Sequence, residues 1–373
     1  MIKTYKVRLE PNKEQEQKMW QSAGTARWAY NWTLGVQQEN RQNGGKFIQD
    51  GELRKSLTKL KKTEEFCWLK KYSNNITKQA VKDACKAYKS FFNGNSKFPK
   101  FKSKKKSRTS FYQDTSNIKI NETHARLEKI GWVRLSETNR IPQGRYFNPR
   151  VTHDGIHWFI SVGVEEFPVY PELTNESIGI DVGIKSLAVV SNGMIFKNIN
   201  KSGKVKKIKK RLRRLQRKCS RKYYKNGKGV SYEKTSNIIK LEKSILKIHH
   251  KLKDIKTDYI HKTTSEIVKT KPSRVVMEDL NITGMMKNKY LSKAIQEQSL
   301  YEFHRQMQYK CEWNGIEFVV ADRFFPSSKL CSECGYIHRE LKLSDRTYIC
   351  PACGNKIDRD YQASLNLSKY ESA

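Results

Sequence analysis

The sequence is short of acid. Its 373 residues hold 37 Asp plus Glu against 74 Lys plus Arg, a formal charge of +37. Such an excess repels itself unless a polyanion neutralises it, so the expected partner is nucleic acid. The 37 acids also exclude a mere basic tail. Absent too is any apolar run near the roughly 20 residues that a membrane-crossing helix needs, and the mean hydropathy is −0.79. The stretch Met1 to Lys6 lacks the apolar run of a signal peptide, so neither secretion nor a membrane span is expected, and the expected location is the cytoplasm. A disulfide framework is missing as well. Of eight cysteines, Cys67, Cys85, Cys219 and Cys311 are scattered and read as ordinary thiols of a reducing compartment. Disorder is excluded in turn, because 37% hydrophobic and 11% aromatic residues are ample core material.

What is present divides into modules. Tyr5-Lys-Val-Arg-Leu9 alternates apolar and basic residues, as a half-buried strand does. Pro11 ends it, and Asn12 reads as the cap of a helical block running to about residue 95. A basic loop follows from Lys97 to Arg108, with Phe98 and Phe101 interleaved. Short alternating runs return from Ile118 to Val164, the last after an Asp154-Gly155 turn. This predicts a helical block inserted into a small antiparallel β module, with a boundary near Pro168 and Pro171. Beyond it lie two apolar strands around Asp181 and Gly183, where the glycine would permit close approach of backbone or ligand. Lys197 to Lys228 then carries sixteen Lys or Arg and no acid. Ile208, Leu212, Leu215 and Cys219 give that segment one apolar stripe. Ile238, Leu241, Ile245, Ile248, Leu252, Ile255 and Tyr259 form a heptad seam, so the two segments are expected to pair as an antiparallel helical hairpin. A strand ending at Glu278, a helix over Ser292 to Asn314, a strand from Ile316 to Ala321 and a terminal helix complete the pattern.

Two sets of residues carry chemistry. Cys331, Cys334, Cys350 and Cys353 follow C-x₂-C-x₁₅-C-x₂-C, the spacing that closes four thiolates around one structural Zn²⁺. The second set is acidic. Asp181, Glu278 and Asp360 each stand at the end of an apolar element, which is costly unless a cation sits among them. Together they suggest a carboxylate cluster for divalent metal and phosphodiester chemistry. On spacing alone Asp279 and Asp358 compete for the same role. The basic residues Lys102, Lys104, Lys105, Lys106 and Arg108, and Lys206, Lys207, Lys210, Arg211 and Arg214, are the expected phosphate contacts. Ser327, Ser328 and Lys329 are further candidates for nucleic-acid contact. Trp28, Tyr30 and Trp32 could stack on bases or simply fill a core.

A resemblance sharpens this. Ile178-Gly-Ile-Asp-Val-Gly-Ile-Lys185, Val276-Met-Glu-Asp-Leu-Asn281, Pro326-Ser-Ser-Lys329 and Asp358-Arg-Asp-Tyr-Gln-Ala-Ser-Leu-Asn366 resemble, in that order, the motifs of the TnpB family. These are transposon-encoded RNA-guided nucleases related to type V CRISPR effectors. Tyr5 to Pro11 and Ala26 to Asn31 match the family's opening, so the likeness spans the chain. It implies an α/β multidomain protein: a β-barrel wedge domain (1–11 and 96–172), a helical recognition insert (12–95), and an RNase H-like RuvC domain (173–324 and 355–373, helical hairpin about 203–268). A zinc ribbon (325–354) interrupts the last. The resemblance puts the catalytic trio on Asp181, Glu278 and Asp360, holding two Mg²⁺ ions, and implies a guide RNA and double-stranded target DNA as partners in a prokaryotic cytoplasm. Gln362 and Ser364 depart from the family's usual Asn and Ala. The other outcomes open to such a protein are an RNA-guided DNA-binding regulator that does not cut and a transposase acting in strand transfer.

Overall fold

The computed structural model of the protein describes residues 1–168, 170–224, 234–342 and 344–371. The tip of the expected hairpin (225–233), with the end of the basic arm to Lys228, lies outside the described residues. So do positions 169, 343 and 372–373 of the expected modules. The chain divides into two compact units, Met1–Phe167 and Pro168–Ala373.

In the first unit, β1 (Ile2–Glu10) buries Val7 and Leu9 on one face. Helix α1 (Lys13–Gln42) starts where Asn12 and Gln15 form a reciprocal cap: Gln15 N donates to Asn12 Oδ1 at 2.8 Å and Asn12 N to Gln15 Oε1 at 3.1 Å. After α2 (Asp50–Leu60), α3 (Asn74–Phe92) lies along α1, and Ala29, Leu34, Ala80, Ala84 and Tyr88 bury the seam. The chain then returns to strands: β2 (Thr109–Tyr112), β3 (Lys119–Ile120), β4 (His124–Leu127), β5 (Gly131–Leu135), β6 (Tyr146–His153) and β7 (Trp158–Glu165). With β1 they form a seven-stranded antiparallel sheet in the order β2-β6-β7-β1-β5-β4-β3. The first strand of the chain thus sits in the middle of the sheet. The end strands β2 and β3 do not pair with one another among the described residues, so the ladder is a linear row where a closed barrel was expected.

The second unit is built on β8 (Ser177–Val182), β9 (Ser186–Val190) and β10 (Ile195–Lys197), an antiparallel meander. Two long helices follow, α4 (Gly203–Tyr224) and α5 (Ser236–Lys269). Leu212 and Cys219 of α4 and Ile238 and Ile248 of α5 are buried along their shared stripe. Strand β11 (Arg274–Glu278) then lies parallel to β8. Helices α6 (Ile282–Met285), α7 (Ser292–Gln298) and α8 (Leu300–Asn314) lead to β12 (Glu317–Ala321), parallel to β11. The sheet order is β10-β9-β8-β11-β12. The single helix expected over Ser292 to Asn314 is two, because Ser299 adopts a left-handed conformation (φ 58°) and breaks it. Finally, β13 (Thr347–Ile349) and β14 (Lys356–Asp358) form a hairpin and α9 (Arg359–Ser368) closes the unit.

The packing of α9 on β8 depends on one glycine. A side chain at Gly179 would put its Cβ 2.0 Å from Ser364 O and 2.3 Å from Ser368 N, so helix and strand touch backbone to backbone. Gly183, where the sequence suggested the close approach, is looser: its nearest neighbour would be Ser186 O at 3.6 Å. Gly179→Ala should therefore displace α9 and cost about 3 kcal/mol, while Gly183→Ala should be tolerated. Thermal denaturation of the two variants beside wild type checks this.

Candidate active site and metal centre

Strand register brings the first two acids together. Ile180 lies opposite Met277 in the parallel pair β8–β11, so Asp181 and Glu278 emerge one residue later at the carboxyl ends of adjacent strands, where α/β sheets place their sites. Helix α9, seated on β8 through Gly179, carries Asp360 in its first turn. Glu278 and Asp360 both lie near enough to act on the charge of Asp181. Burial pushes the Asp181 carboxyl well above the usual carboxylate range, Glu278 and Asp360 push it further, Arg359 opposes them, and Asp358 adds a smaller push upward. Asp181 retains some exposed surface even though its carboxyl is closely surrounded by protein, so it is desolvated and still reachable.

The two competing acids are otherwise engaged. Asp358 is the N-cap of α9, its Oδ1 accepting from Asp360 N at 3.0 Å and Tyr361 N at 3.2 Å. Asp279 pairs with Arg323.

Residues beyond the acids support them, Gln298 outside every motif and Gln362 and Asn366 within the last one. Gln298, at the end of α7, is buried and donates to Gly183 O at 2.8 Å and Ser186 O at 3.3 Å, fixing the turn after Asp181. Ser299, left-handed, ends α7 directly after Gln298, a break that no helical periodicity reveals. Gln362 and Asn366 share one face of α9. They donate to Leu330 O at 2.6 Å each, and Asn366 also to Ser327 O at 2.7 Å. Their i, i+4 spacing was visible in the sequence. Gln362, unusual for its motif, keeps an amide and uses it fully, since Ser332 Oγ donates to Gln362 Oε1 at 3.0 Å.

The four paired cysteines converge. All ligand atoms of Cys331, Cys334, Cys350 and Cys353 lie within 4.8 Å of one another, with Cys331 and Cys353 Sγ 3.7 Å apart and Cys334 and Cys350 Sγ 3.5 Å apart. Tetrahedral Zn–S bonds of about 2.3 Å require sulfurs about 3.8 Å apart, so these thiols could hold a zinc ion. Without an ion the four thiols share charge unevenly: burial opposes it, but backbone N–H groups of Cys353 and Ala352 and the neighbouring thiols bring Cys350 down to about 6, while Cys353 is pushed up to about 12. Gly335 and Gly354 take φ of 73° and 72° directly after each pair, the left-handed turn each knuckle makes. Tyr348 and Leu341 are the small core beneath.

The basic candidates fall into two groups. Lys206, Lys207, Lys210, Arg211 and Arg214 are exposed on α4, and Lys206, Lys209, Lys210, Arg213, Arg214 and Arg217 line a groove of about 450 Å³. In the first unit Lys104, Lys105, Lys106 and Arg108 are exposed, whereas Lys102 is half-buried with its ammonium 3.6 Å from the centre of the Tyr30 ring. Trp28 and Trp32 stack on each other at 6.4 Å, and Trp28 also meets Phe66 and Trp68. These rings are packing partners within the helices. Lys329 is half-buried, its Nζ donating to Arg339 O at 3.2 Å. Ser328 Oγ accepts from Arg359 at 3.2 Å. Ser327 is buried, with its hydroxyl on Glu278 instead of at the surface.

Comparison with known proteins agrees in kind. Residues 159–289 match a family described as "Probable transposase", residues 301–367 a "Cas12f1-like, TNB domain", and residues 1–46 a "Helix-turn-helix domain". In this chain that last segment is one strand and one uninterrupted helix. A protein of Streptomyces pristinaespiralis named "Putative RNA-guided DNA endonuclease" is 32% identical over 377 residues, covering 98% of this chain and 88% of that one. InsQ of Escherichia coli K12, named likewise, is 29% identical over 386 residues, covering 98% and 91%. Among solved structures, a Cas12f1–sgRNA–target DNA complex shares the fold at a TM-score of 0.60 and 15% identity, covering 95% of this chain and 82% of that one.

The cysteine geometry makes a direct prediction. Freshly purified protein should carry about one zinc per chain, and Cys334→Ser should release it and lower the melting temperature of the second unit. Elemental analysis of both proteins, with calorimetry, measures each effect.

Proposed function

Because this chain belongs to the TnpB family of transposon-encoded RNA-guided DNA endonucleases, we propose that it cuts double-stranded DNA at sites chosen by a guide RNA, next to a short flanking motif read by the protein. The observation that carries the chemistry is the effect of Glu278 and Asp360 on the buried Asp181 carboxyl. A buried carboxyl that feels two further acids from distant segments costs stability unless a cation relieves it. Hard carboxylate oxygens fit Mg²⁺, and Asp181, Glu278 and Asp360 would hold it. Bound there, two such ions supply an activated water and stabilise the leaving 3′ oxygen.

The chain's own contribution is placement. Gln298 fixes the turn behind Asp181, and Asp358, by capping α9, sets the first turn that presents Asp360. The cations of α4 would hold nucleic-acid backbone, while base pairing with the guide selects the sequence. The order β10-β9-β8-β11-β12, antiparallel then parallel, supports reading the second unit as an RNase H-like RuvC domain with the ribbon inserted at 325–354. The first unit would be the wedge domain with its recognition helices. All of this chemistry belongs in a prokaryotic cytoplasm.

Asp181→Ala, Glu278→Ala and Asp360→Ala should each abolish cleavage and leave target binding largely intact, because each removes a metal ligand and no backbone contact. Asp358→Ala should retain measurable cleavage at reduced stability. Plasmid cleavage and gel-shift assays on the same preparations separate the two effects; a dead Asp358→Ala beside an active Asp360→Ala would reverse the assignment.

One observation favours a second reading, the match of residues 159–289 to a family described as a transposase. Guided cutting and strand transfer differ in what they need. With Mg²⁺, RNA-free protein should leave duplex DNA uncut, and cognate RNA should direct cutting to the matching site. A new guide segment should move the cut. Joining of transposon ends without RNA would favour the transposase instead.

A further inference from the structure

Glu278 reaches the site from the end of β11 on a side chain with three rotatable bonds, and it has no ion-pair partner among the described residues. The one hydrogen bond to its carboxylate among them comes from Ser327, whose Oγ–H donates to Oε1. Ser327 is only 4% exposed, so its hydroxyl faces the carboxylate and not solvent or a nucleic-acid strand.

Ser327 is itself held from two sides. Its N–H donates to Phe325 O at 2.8 Å, and its carbonyl accepts from Asn366 of α9 at 2.7 Å. Asn366 is 2% exposed. Three residues on, Leu330 O takes the amides of both Gln362 and Asn366, and Cys331 begins the first knuckle. The 327–332 segment is thus laced along one face of the helix that carries Asp360 in its first turn. A carboxylate on β11 and another on α9 are joined through a serine that belongs to neither.

We propose that Ser327 is a positioning residue: it holds the Glu278 carboxylate in the orientation that binds divalent metal, and it ties that orientation to α9 through Asn366. The proposal rests on Glu278 being a metal-holding residue. Partners that orient metal ligands from outside the coordination shell typically affect metal affinity or activity by about 10- to 100-fold, and Ser327→Ala should fall in that range. A serine that merely satisfies a buried site would change stability without moving metal affinity.

The test uses the full chain. Mn²⁺ binding to RNA-free protein is measured calorimetrically, and single-turnover cleavage is measured with guide RNA across a Mg²⁺ series. Ser327→Ala should bind Mn²⁺ about tenfold more weakly, need more Mg²⁺ for its half-maximal rate, and cleave more slowly at saturating target. Its target affinity, zinc content and melting temperature should stay near wild type. Ser327→Thr, which keeps the hydroxyl, should recover most of the metal affinity. In a Glu278→Gln background Ser327→Ala should add nothing. Wild-type Mn²⁺ affinity and rate in Ser327→Ala, beside an inactive Glu278→Gln, would overturn the proposal alone. Wild-type cleavage by Glu278→Gln would overturn the carboxylate reading beneath it. A Ser327→Ala that loses zinc or melts early, with Ser327→Thr folded but no better at binding Mn²⁺ than the alanine variant, would make the hydroxyl structural and likewise end the proposal.

Discussion

Everything in the second unit turns on the contact between α9 and β8 at Gly179. Sheets and helices usually meet through side chains, which set backbones about 10 Å apart. Here the absent side chain lets Ser364 O and Ser368 N come within reach of the strand's backbone. That depth draws the start of α9 down to the end of β8, where Asp181 lies. The same helix then acts as a rail: Gln362 and Asn366 fasten the ribbon's entry segment to it, and Ser327, at the start of that segment, meets Glu278. A helix seated a side chain's thickness higher would separate the acids and slacken every one of these hydrogen bonds.

Charge is organised around this construction. Helix α4 puts its apolar stripe against α5 and turns its cations outward; among the described residues its one ion pair is Lys209 with Glu297 at 2.8 Å. The negative cluster is small, desolvated and recessed. A polyanion is attracted by the first and repelled by the second. A divalent ion at Asp181 would reconcile the two.

Much of this was legible in the sequence, and the remainder was hidden for physical reasons. The cap at Asn12, the Asp154-Gly155 turn and the heptad seam of α5 are local patterns, and local patterns can be read from neighbours in the chain. The cysteine spacing was equally plain, since knuckle geometry fixes it. The acids were nameable one by one, but their meeting depends on strand register and on the depth of α9, which are set over nearly two hundred residues. Gly183 looked like the close approach because it follows Asp181; the constraint falls on Gly179, whose partner is far off in sequence. Ser299 broke a helix that periodicity drew as continuous. Ser327 was named for nucleic-acid contact from its motif, and only the fold shows it buried against Glu278.

The order of the parts along the chain has a consequence for the making of the protein. Strand β1 waits in the middle of its sheet for β5 and β7, so the first unit is complete once residue 165 has left the ribosome, and domains generally fold as they emerge. The second sheet can pair β8 with β11 soon after residue 278. Asp360 arrives last, on the helix that also secures the ribbon. A nascent chain can therefore own folded, strongly basic surfaces, and engage RNA with them, well before it owns a place to cut. The three acids can belong to one folded unit only once α9, the last helix to emerge, is in place.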